Sequence, residues 1–390
     1  MRRIALALVL VMLLPSVVAT PDATVDLTIE RRIGDVDLGI NGGEMSPDKK
    51  TVLIYGAEGF AHLISATNAD DDAYDVLLEN ETELDLRDVS WHPAGKSALI
   101  VGDGGTVLRY NSTNYAIGEV SGTWVLGGTD LSAVQYTPGS SVAYIGGADG
   151  SIWKYQSDTI THLSSESESK VTDIACMRNE NICVIATLND GLAVIDQSDR
   201  ISWISNSMFH TWMGVGCEDP TMNSCTGFAS GKKTGEIMID KVDTSMSSLG
   251  EVTILGQLEG DLIADNPGTD SASLIALAPL GMVRWSQYDE TAFLMFSNIN
   301  ASDKDPLLGG DSYAMAWELE HNRGFIVTGQ GRIVSFIPME EVDDGTILDD
   351  IFGYAIAACL IGMILGLIYW VSPPMQRAYA RMTGRLPKGK

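Results

Sequence analysis

Basic residues are scarce in this chain. It contains 25 Lys and Arg against 52 Asp and Glu. All of the acids lie between Asp22 and Asp350, a stretch with only 18 of the basic residues. Phosphate binding requires a cationic surface, so nucleic acid is excluded as an expected partner. Solubility in a salty medium is the simplest reason for the acidity, and a divalent cation or a basic partner is the alternative.

Groups that commonly carry catalysis are also few. The five histidines are spread along the chain without a pair four residues apart, so no zinc site is predicted; they are His62, His92, His162, His210 and His321. The Asp-box turns of sialidases and the regular Trp motifs of quinoprotein dehydrogenases are absent. The Gly-x-Gly pattern at 102–105 precedes no helix, so nucleotide binding has no support. We therefore expect no catalytic constellation and no cofactor, apart from the calcium considered below.

Long apolar runs occur only at the two ends. Residues 1–19 have a basic start, an apolar run from Ile4 to Leu14 and small residues before Ala19, which predicts a secretory signal peptide. Residues 351–371 contain 21 residues without a charge, enough for one transmembrane helix. The short acidic stalk 339–350 precedes this helix, and the basic tail 372–390 follows it. The positive-inside rule then predicts a type I single-pass protein of the cell membrane, with residues 24–338 outside the cytoplasm.

Between these ends one pattern recurs seven times. Two apolar runs flank a glycine-containing turn, and the copies are marked by Gly59, Gly105, Gly150, Gly191, Gly235, Gly281 and Gly331. A period of about 40 to 50 residues built from short strands is typical of a β-propeller, in which each repeat is one four-stranded blade. The sequence therefore predicts an all-β, seven-bladed propeller over residues 24–338.

Each blade is predicted to have strands a, b, c and d in chain order. In blade 2, for example, strand d is expected within 114–126. The last repeat ends after strand c, one strand short. Residues 24–33 read as a strand and precede the first complete blade. We expect them to pair with 332–338, because closure of the ring removes an exposed sheet edge.

Four of the five cysteines flank the turns between strands a and b. Cys176 and Cys183 occupy the two positions that face each other across this turn in other repeats, and Cys217 and Cys225 do so with one extra turn residue. Two disulfides, 176–183 and 217–225, are predicted, and the signal peptide implies an oxidising compartment. Cys359 lies in the apolar span and is expected to be inert.

Residues 89–111, VSWHPAGKSALIVGDGGTVLRYN, resemble a WD40 or YVTN-type repeat. The run VGDGGTVLRYNST is also similar to repeats of photosystem-assembly-factor-like propellers. The Gly-His and Trp-Asp dipeptides of true WD40 blades are missing, so the chain is identified as a divergent, WD40-like propeller. The resemblance implies interaction more often than catalysis.

Two further sets of residues are candidate sites. Two acidic loops are candidates for calcium, through Asp70, Asp72 and Asp75 and through Asp303 and Asp305. Ordinary solvated loops are the alternative, since neither matches an EF-hand. N-glycosylation sequons begin at Asn80, Asn111 and Asn300.

The function predicted from the sequence is a binding or scaffolding module for an extracellular or envelope protein, or for another ligand. The face carrying the b–c turns and d–a loops, here the b–c face, is expected to make the contacts; its candidates are Glu58, Asp103, Asp149, Asp190, Lys232, Lys233 and Gln330. One alternative is a hydrolase or lyase whose central channel uses Glu218, Asp265 and Glu318. Another is an envelope assembly factor. Converging channel carboxylates would favour the enzyme, and exposed aromatics on the b–c face would favour the binding module.

Overall fold

Seven four-stranded antiparallel sheets make up the main part of the structure. The structure, a computed structural model, describes residues 23–34, 37–163, 166–217, 223–256, 258–288, 291–339 and 371–383. Strand a of each sheet packs against strand a of the sheets on either side, so the seven strands surround a central channel. The predicted seven-bladed propeller is confirmed.

The blades place their strands in chain order from the channel outwards. The a strands are β2 (Ile40–Met45), β6 (Leu86–Trp91), β10 (Leu131–Tyr136), β14 (Val171–Cys176), β18 (Trp212–Gly216), β22 (Leu262–Pro267) and β26 (Tyr313–Glu320). The b strands are β3 (Thr51–Gly56), β7 (Ser97–Gly102), β11 (Val142–Gly147), β15 (Cys183–Thr187), β19 (Ser224–Ala229), β23 (Ala272–Leu277) and β27 (Arg323–Thr328).

The c strands are β4 (Ala61–Ser65), β8 (Thr106–Asn111), β12 (Ile152–Gln156), β16 (Leu192–Ile195), β20 (Lys233–Met238), β24 (Gly281–Ser286) and β28 (Arg332–Pro338). The d strands of blades 1 to 6 are β5 (Val76–Leu77), β9 (Ala116–Glu119), β13 (Thr159–Leu163), β17 (Ile201–Trp203), β21 (Ser248–Ile254) and β25 (Thr291–Phe296). Blade 7 takes its outer strand from β1 (Val25–Arg32).

Closure of the ring follows the expected pairing. β1 runs antiparallel to β28, from Val25 opposite Pro338 to Arg32 opposite Arg332. Arg31 also reaches into blade 1, where its guanidinium donates to both oxygens of Asp75, each at 2.8 Å. The N-terminal strand thus completes blade 7 and contacts the first blade.

Helices and short turns occupy the connections. α1 (Asn298–Lys304) and α2 (Pro306–Gly309) lie between blades 6 and 7, and α3 (Pro373–Met382) lies near the C-terminus. The 3-10 turns are Ala57–Gly59, Asp72–Tyr74, Asp103–Gly105, Thr123–Leu126, Ser207–Phe209 and Thr244–Met246. Strand d of blade 2 is shorter than the predicted 114–126, because the chain leaves the sheet after Glu119 and turns at Thr123–Leu126.

The b–c turns require glycine where the backbone approaches its neighbour. Gly59 has φ +72°, and a Cβ there would stand 2.1 Å from the carbonyl oxygen of Thr82. In blade 5 the turn glycine is Gly231, with φ +77°. The expectation that Gly235 marks this turn is wrong, because Gly235 lies inside β20 and pairs with Gly227 of β19.

Both predicted disulfides are present. Cys176 and Cys183 face each other directly in the β14–β15 pairing, with Cα atoms 4.0 Å apart. Cys217 and Cys225 close the corresponding turn of blade 5, with Cα atoms 4.4 Å apart. Each bond links strands a and b within one blade, so it fastens a hairpin and does not join neighbouring blades.

The chain divides into two compact units, Met1–Met339 and Glu340–Lys390. The predicted signal peptide, residues 340–350 of the stalk, residues 351–370 of the apolar span and residues 384–390 of the tail lie outside the described residues. Within the described ranges, no helix has the length and apolarity needed to cross a bilayer.

Candidate binding surfaces and the central channel

The a strands and the a–b turns line a central cavity of about 770 Å³. Several of its lining residues are carboxylates, namely Glu44, Asp88, Asp173, Asp265, Asp270 and Glu318. Converging acids of this kind are what a channel enzyme would need. Their hydrogen bonds show what these side chains do in the folded protein.

Several of these side chains link the a strands of successive blades. Asp88 accepts from the backbone N–H of Val134 at 2.7 Å, and Asp173 accepts from that of Val215 at 2.8 Å. Glu44 accepts from the N–H of Trp91 at 2.7 Å. The a strands of neighbouring blades belong to separate sheets, so these N–H groups need side-chain acceptors. These channel carboxylates therefore have a structural role, because they link the a strands of neighbouring blades.

Asp88 in the channel has a strongly raised pKa. Loss of hydration and the neighbouring Asp173 raise the pKa of Asp88 from 3.8 to about 8, although its hydrogen bonds oppose the change. Tyr55 reaches the same place from β3, and a Cβ on Gly42 would lie 2.3 Å from its hydroxyl oxygen. Burial, followed by the nearby Asp88 and Glu44, raises the pKa of Tyr55. Near neutral pH, Asp88 is therefore held mainly in its protonated form.

The three acids considered for channel catalysis have different positions. Glu318 is buried and pairs with Arg284, and it also accepts from the backbone N–H and hydroxyl of Thr269, each at 2.7 Å. Asp265 lies over β18, where a Cβ on Gly214 would be 2.4 Å from its Oδ1. Glu218 lies outside the described residues. Asp265 and Glu318 both line the central cavity, and the prediction for Glu218 stays untested.

The seven predicted contacts on the b–c face differ in accessibility. Glu58 and Asp149 are exposed. Asp103 pairs with Arg87 at 2.7 Å, and Asp190 accepts from the backbone N–H of Glu168 at 3.0 Å.

The other three, like Asp103 and Asp190, are partly buried. Lys232 donates from Nζ to the carbonyl of Leu258, Lys233 lies in β20, and Gln330 accepts from Arg332 at 2.9 Å. Glu58 and Asp149 are thus the members of the set best placed for a partner.

Sequence reasoning missed a group of exposed apolar side chains on the b–c face. Trp124 is 83% exposed on the loop before blade 3, and Phe209 is 73% exposed on the loop before blade 5. Met208 and Leu84 are also exposed on d–a loops. Trp124 was expected within a strand, and only the 3-10 turn Thr123–Leu126 brings it to the surface. We call Leu84, Trp124, Met208 and Phe209 the apolar set.

Exposed acids lie on the same face as the apolar set, on b–c turns and d–a loops. The exposed carboxylates of the b–c turns and d–a loops, among the described residues, are Asp37, Glu58, Glu79, Glu81, Glu83, Asp130, Asp149, Glu166, Glu168, Glu259 and Asp303. Lys170 is an exposed cation of this face. The b–c face thus combines large apolar groups with a surplus of negative charge.

Neither candidate calcium loop gathers a metal site in the described residues, where no group of three or more His, Cys, Asp or Glu could hold a metal. Asp70, Asp72 and Asp303 are exposed, and Asp305 caps α2. Asp75 binds Arg31 and His62, and these hydrogen bonds lower the pKa of Asp75 although burial opposes them. Calcium binding stays a prediction from sequence.

The three sequons differ in their surroundings. Asn111 is exposed, and its Oδ1 accepts from the N–H of Thr113. The Nδ2 of Asn80 donates to the carbonyl of Gly59 at 2.8 Å. The Oδ1 of Asn300 accepts from Ser297 in the cap of α1. Asn111 is the most accessible acceptor of the three, and glycosylation stays a prediction.

Solved propellers share this fold at low sequence identity. The β-propeller domain of Myceliophteria thermophila Cps50 (Swd1) has a TM-score of 0.60 and 9% identity, and the match covers 80% of this chain and 99% of that one. The match to YCF48 bound to D1 peptide has a TM-score of 0.59 and 10% identity, and it covers 82% of this chain and 99% of that one. The match to the WD40 propeller domain of Doa1 has a TM-score of 0.60 and 11% identity, and it covers 81% of this chain and 98% of that one.

No protein-family profile matches the sequence, and no curated protein matches it. The structural likeness therefore defines the class of protein, a seven-bladed propeller like those of WD40 proteins, and shows its fold alone.

Proposed function

We propose that this propeller is a protein-binding module whose b–c face recognises a basic segment with apolar side chains. The observation that carries the proposal is the exposure of Trp124 and Phe209 among acids on one face. Large exposed apolar groups are typical of interaction sites, and aromatic residues are enriched at the centres of interfaces. The surrounding carboxylates favour a cationic partner through electrostatic complementarity.

The similar YCF48 propeller, which is described as bound to a D1 peptide, supports a peptide or protein partner for this fold. We propose further that the apolar span 351–371 anchors the module in the cell membrane with the propeller outside the cytoplasm. The disulfides support an oxidising compartment.

The alternative of a channel enzyme is less favoured. Asp88, Asp173 and Glu44 all accept backbone N–H groups, so the channel acids have a structural explanation. The remaining alternative, an envelope assembly factor, is compatible with the same binding face and differs only in what is bound.

The test is quantitative affinity capture from the cell envelope with the full-length chain in detergent. The double variant Trp124→Ser/Phe209→Ser is compared with Val242→Ser, which changes a side chain that is 96% exposed on a c–d loop, away from the b–c face. We expect a captured partner to fall at least tenfold with the double variant, to persist with Val242→Ser and to weaken in 0.5 M salt. A partner retained equally by all variants would disprove recognition through this face.

A further inference from the structure

Blade 5 presents an unusual face to blade 6. Thr226 of β19 points toward blade 6. In the other blades, the b-strand residue at the same distance from the b–c turn is always apolar or aromatic. These equivalent residues are Leu53, Leu99, Tyr144, Val184, Leu274 and Phe325. Each of those six belongs to the apolar cluster between its own blade and the next. Blade 5 has a hydroxyl where every other blade has a packing side chain.

The neighbouring strand repeats the substitution. Thr234 of β20 faces Phe228 across the turn, and its equivalents are again apolar: Ala61, Val107, Ile152, Leu192, Met282 and Ile333. All six lie in the clusters between blades. Thr226 and Thr234 are nevertheless buried, at 4% and 2% exposure.

At a third position of the blade 5 surface that faces blade 6, an acidic residue stands where other blades have a basic one. Arg109, Lys154 and Arg284 are equivalent residues of blades 2, 3 and 6, and they pair with Asp158, Asp199 and Glu318 of the following blade. Blade 5 has Glu236 there, opposite Thr226. Among the described residues, no cation pairs with Glu236 or with its neighbour Glu251.

These changes leave space between the two blades. A cavity of about 660 Å³ is lined by Thr226, Thr234, Glu236 and Glu251 of blade 5 and by Trp285 and Gln287 of blade 6. Ile254, Leu255 and Ala292 add apolar surface to its wall. This volume is within the range of small-molecule pockets.

Trp285 contributes an unsatisfied donor. The residue is 6% exposed, and its indole Nε1–H is buried without a hydrogen-bond partner. A buried donor of this kind costs free energy unless a bound molecule accepts from it. Trp285, a residue of the cavity wall, therefore carries an unpaired donor, and Glu236 and Glu251 on the same wall supply carboxylates that have no paired cation among the described residues.

The mixture of groups identifies the class of ligand. A hydroxyl accepts from an N–H and donates to a carboxylate, so it matches both. An ammonium group only donates and leaves the indole unsatisfied, whereas a phosphate or carboxylate is repelled by the two glutamates. We propose that the cavity between blades 5 and 6 binds a hydroxyl-rich ligand of sugar or polyol type, a proposal that does not rest on the function proposed for the b–c face.

Saturation-transfer difference NMR on the full-length chain in detergent tests this site. The probes are the methyl glycosides of glucose, galactose and mannose, with glycerol as a simple polyol and spermidine as a cation. We expect transfer to at least one glycoside or to glycerol, and the preference between them distinguishes a sugar from a simple polyol. Transfer to spermidine alone, or to none of the probes, would overturn the proposal.

Variants locate the binding. Trp285→Phe keeps an aromatic ring and removes the N–H, and Glu236→Gln removes a partly exposed acceptor charge. Each change is expected to weaken binding at least fivefold. Trp153→Phe is the matched control, because Trp153 also buries an indole N–H without a partner but does not line this cavity. Binding unchanged by both cavity variants, or weakened equally by Trp153→Phe, would contradict the assignment.

Discussion

Blade 6 packs on both neighbours through apolar clusters, and each interface also contains polar groups, but these groups differ between the two interfaces. Toward blade 7, Arg284 contacts Glu318 and donates to the carbonyl of Thr269 at 2.8 Å, so the buried charges are paired. Toward blade 5, Trp285 leaves its N–H without a partner beside a cavity. Consecutive residues of a strand point to opposite faces, so β24 supplies both side chains.

The difference shows that buried polarity serves two purposes in one fold. On the blade 7 side the partner is built into the chain, and the polar groups fix how the blades fit together. On the blade 5 side the equivalent contacts are missing because blade 5 carries Thr226, Thr234 and Glu236 where an apolar or cationic residue would close the interface. A satisfied polar network rigidifies an interface, and the open interface is where we propose that a ligand binds.

The largest effect is expected from breaking the closed interface. Arg284→Met leaves the buried carboxylate of Glu318 without its cation, and it should lower the free energy of unfolding by about 3–5 kcal/mol. Urea denaturation of the full-length chain, followed by near-UV circular dichroism, measures this.

A matched control occupies the same place in blade 2. Arg109 pairs with Asp158, but the side chains are 47% and 55% exposed. Arg109→Met should therefore cost less than about 1 kcal/mol. The double variant Arg284→Met/Glu318→Leu should recover part of the loss, since it removes the unpaired charge. Equal losses for Arg284→Met and Arg109→Met would show that burial of the pair has no special role.

The next effect concerns the hairpin that carries Thr226. Replacing Cys217 and Cys225 by Ala opens the β18–β19 turn and should lower the free energy of unfolding by about 2.5 kcal/mol, by the loop-entropy estimate. The corresponding change at Cys176 and Cys183 of blade 4 should cost a similar amount, because the loops are nearly equal.

Only the blade 5 pair should also weaken binding in the cavity. Chemical denaturation with and without reductant measures the loss of stability, and the glycoside NMR measures the loss of binding. Equal weakening of binding by both pairs would indicate a general loss of rigidity.

Asp88 in the central channel is intermediate between the closed and the open interface. Its hydrogen bonds are satisfied, but the acidic Asp173 lies beside it. Its pKa is raised to about 8, so its contribution to stability is fully present below about pH 4 and is lost as the pH rises through 8. We expect the free energy of unfolding to fall between pH 5 and pH 8, because over this range the unfolded chain has lost the Asp88 proton while the folded protein still binds it. Asp88→Asn should flatten this dependence, whereas Glu58→Gln, on the exposed face, should not.

Much of the fold could be predicted from sequence because it depends on local, repeated signals. Glycine turns at a regular period gave the number of blades, and the missing strand of blade 7 indicated pairing with residues 24–33. The Gly235 error has a physical reason: Ser230, Gly231 and Lys232 make the turn, and a second glycine nearby lies in a strand. Local composition alone does not distinguish the two.

The candidate sites were less predictable because they depend on which residues become neighbours. Asp88 and Asp173 lie 85 residues apart in the sequence, and their effect on each other arises only in the closed ring. Trp124 appeared to belong to a strand until the turn at Thr123–Leu126 exposed it. The polar face of blade 5 was visible in the repeats, as Thr226 and Thr234 against apolar equivalents, but only the pairing of β19 with β20 aligns these residues correctly.

The smallest effect is expected from partly closing the open interface. Thr226→Val keeps the shape of a side chain that is 4% exposed and removes its hydroxyl, for which the described residues provide no hydrogen bond. The empty protein should gain up to about 1 kcal/mol in free energy of unfolding, while glycoside binding should weaken. Thr187→Val, the control, should lose about 1 kcal/mol, because its buried hydroxyl donates to the carbonyl of Gly191 at 2.8 Å. A loss from Thr226→Val as large as that from Thr187→Val would show that the hydroxyl has a structural partner and that the interface is closed after all.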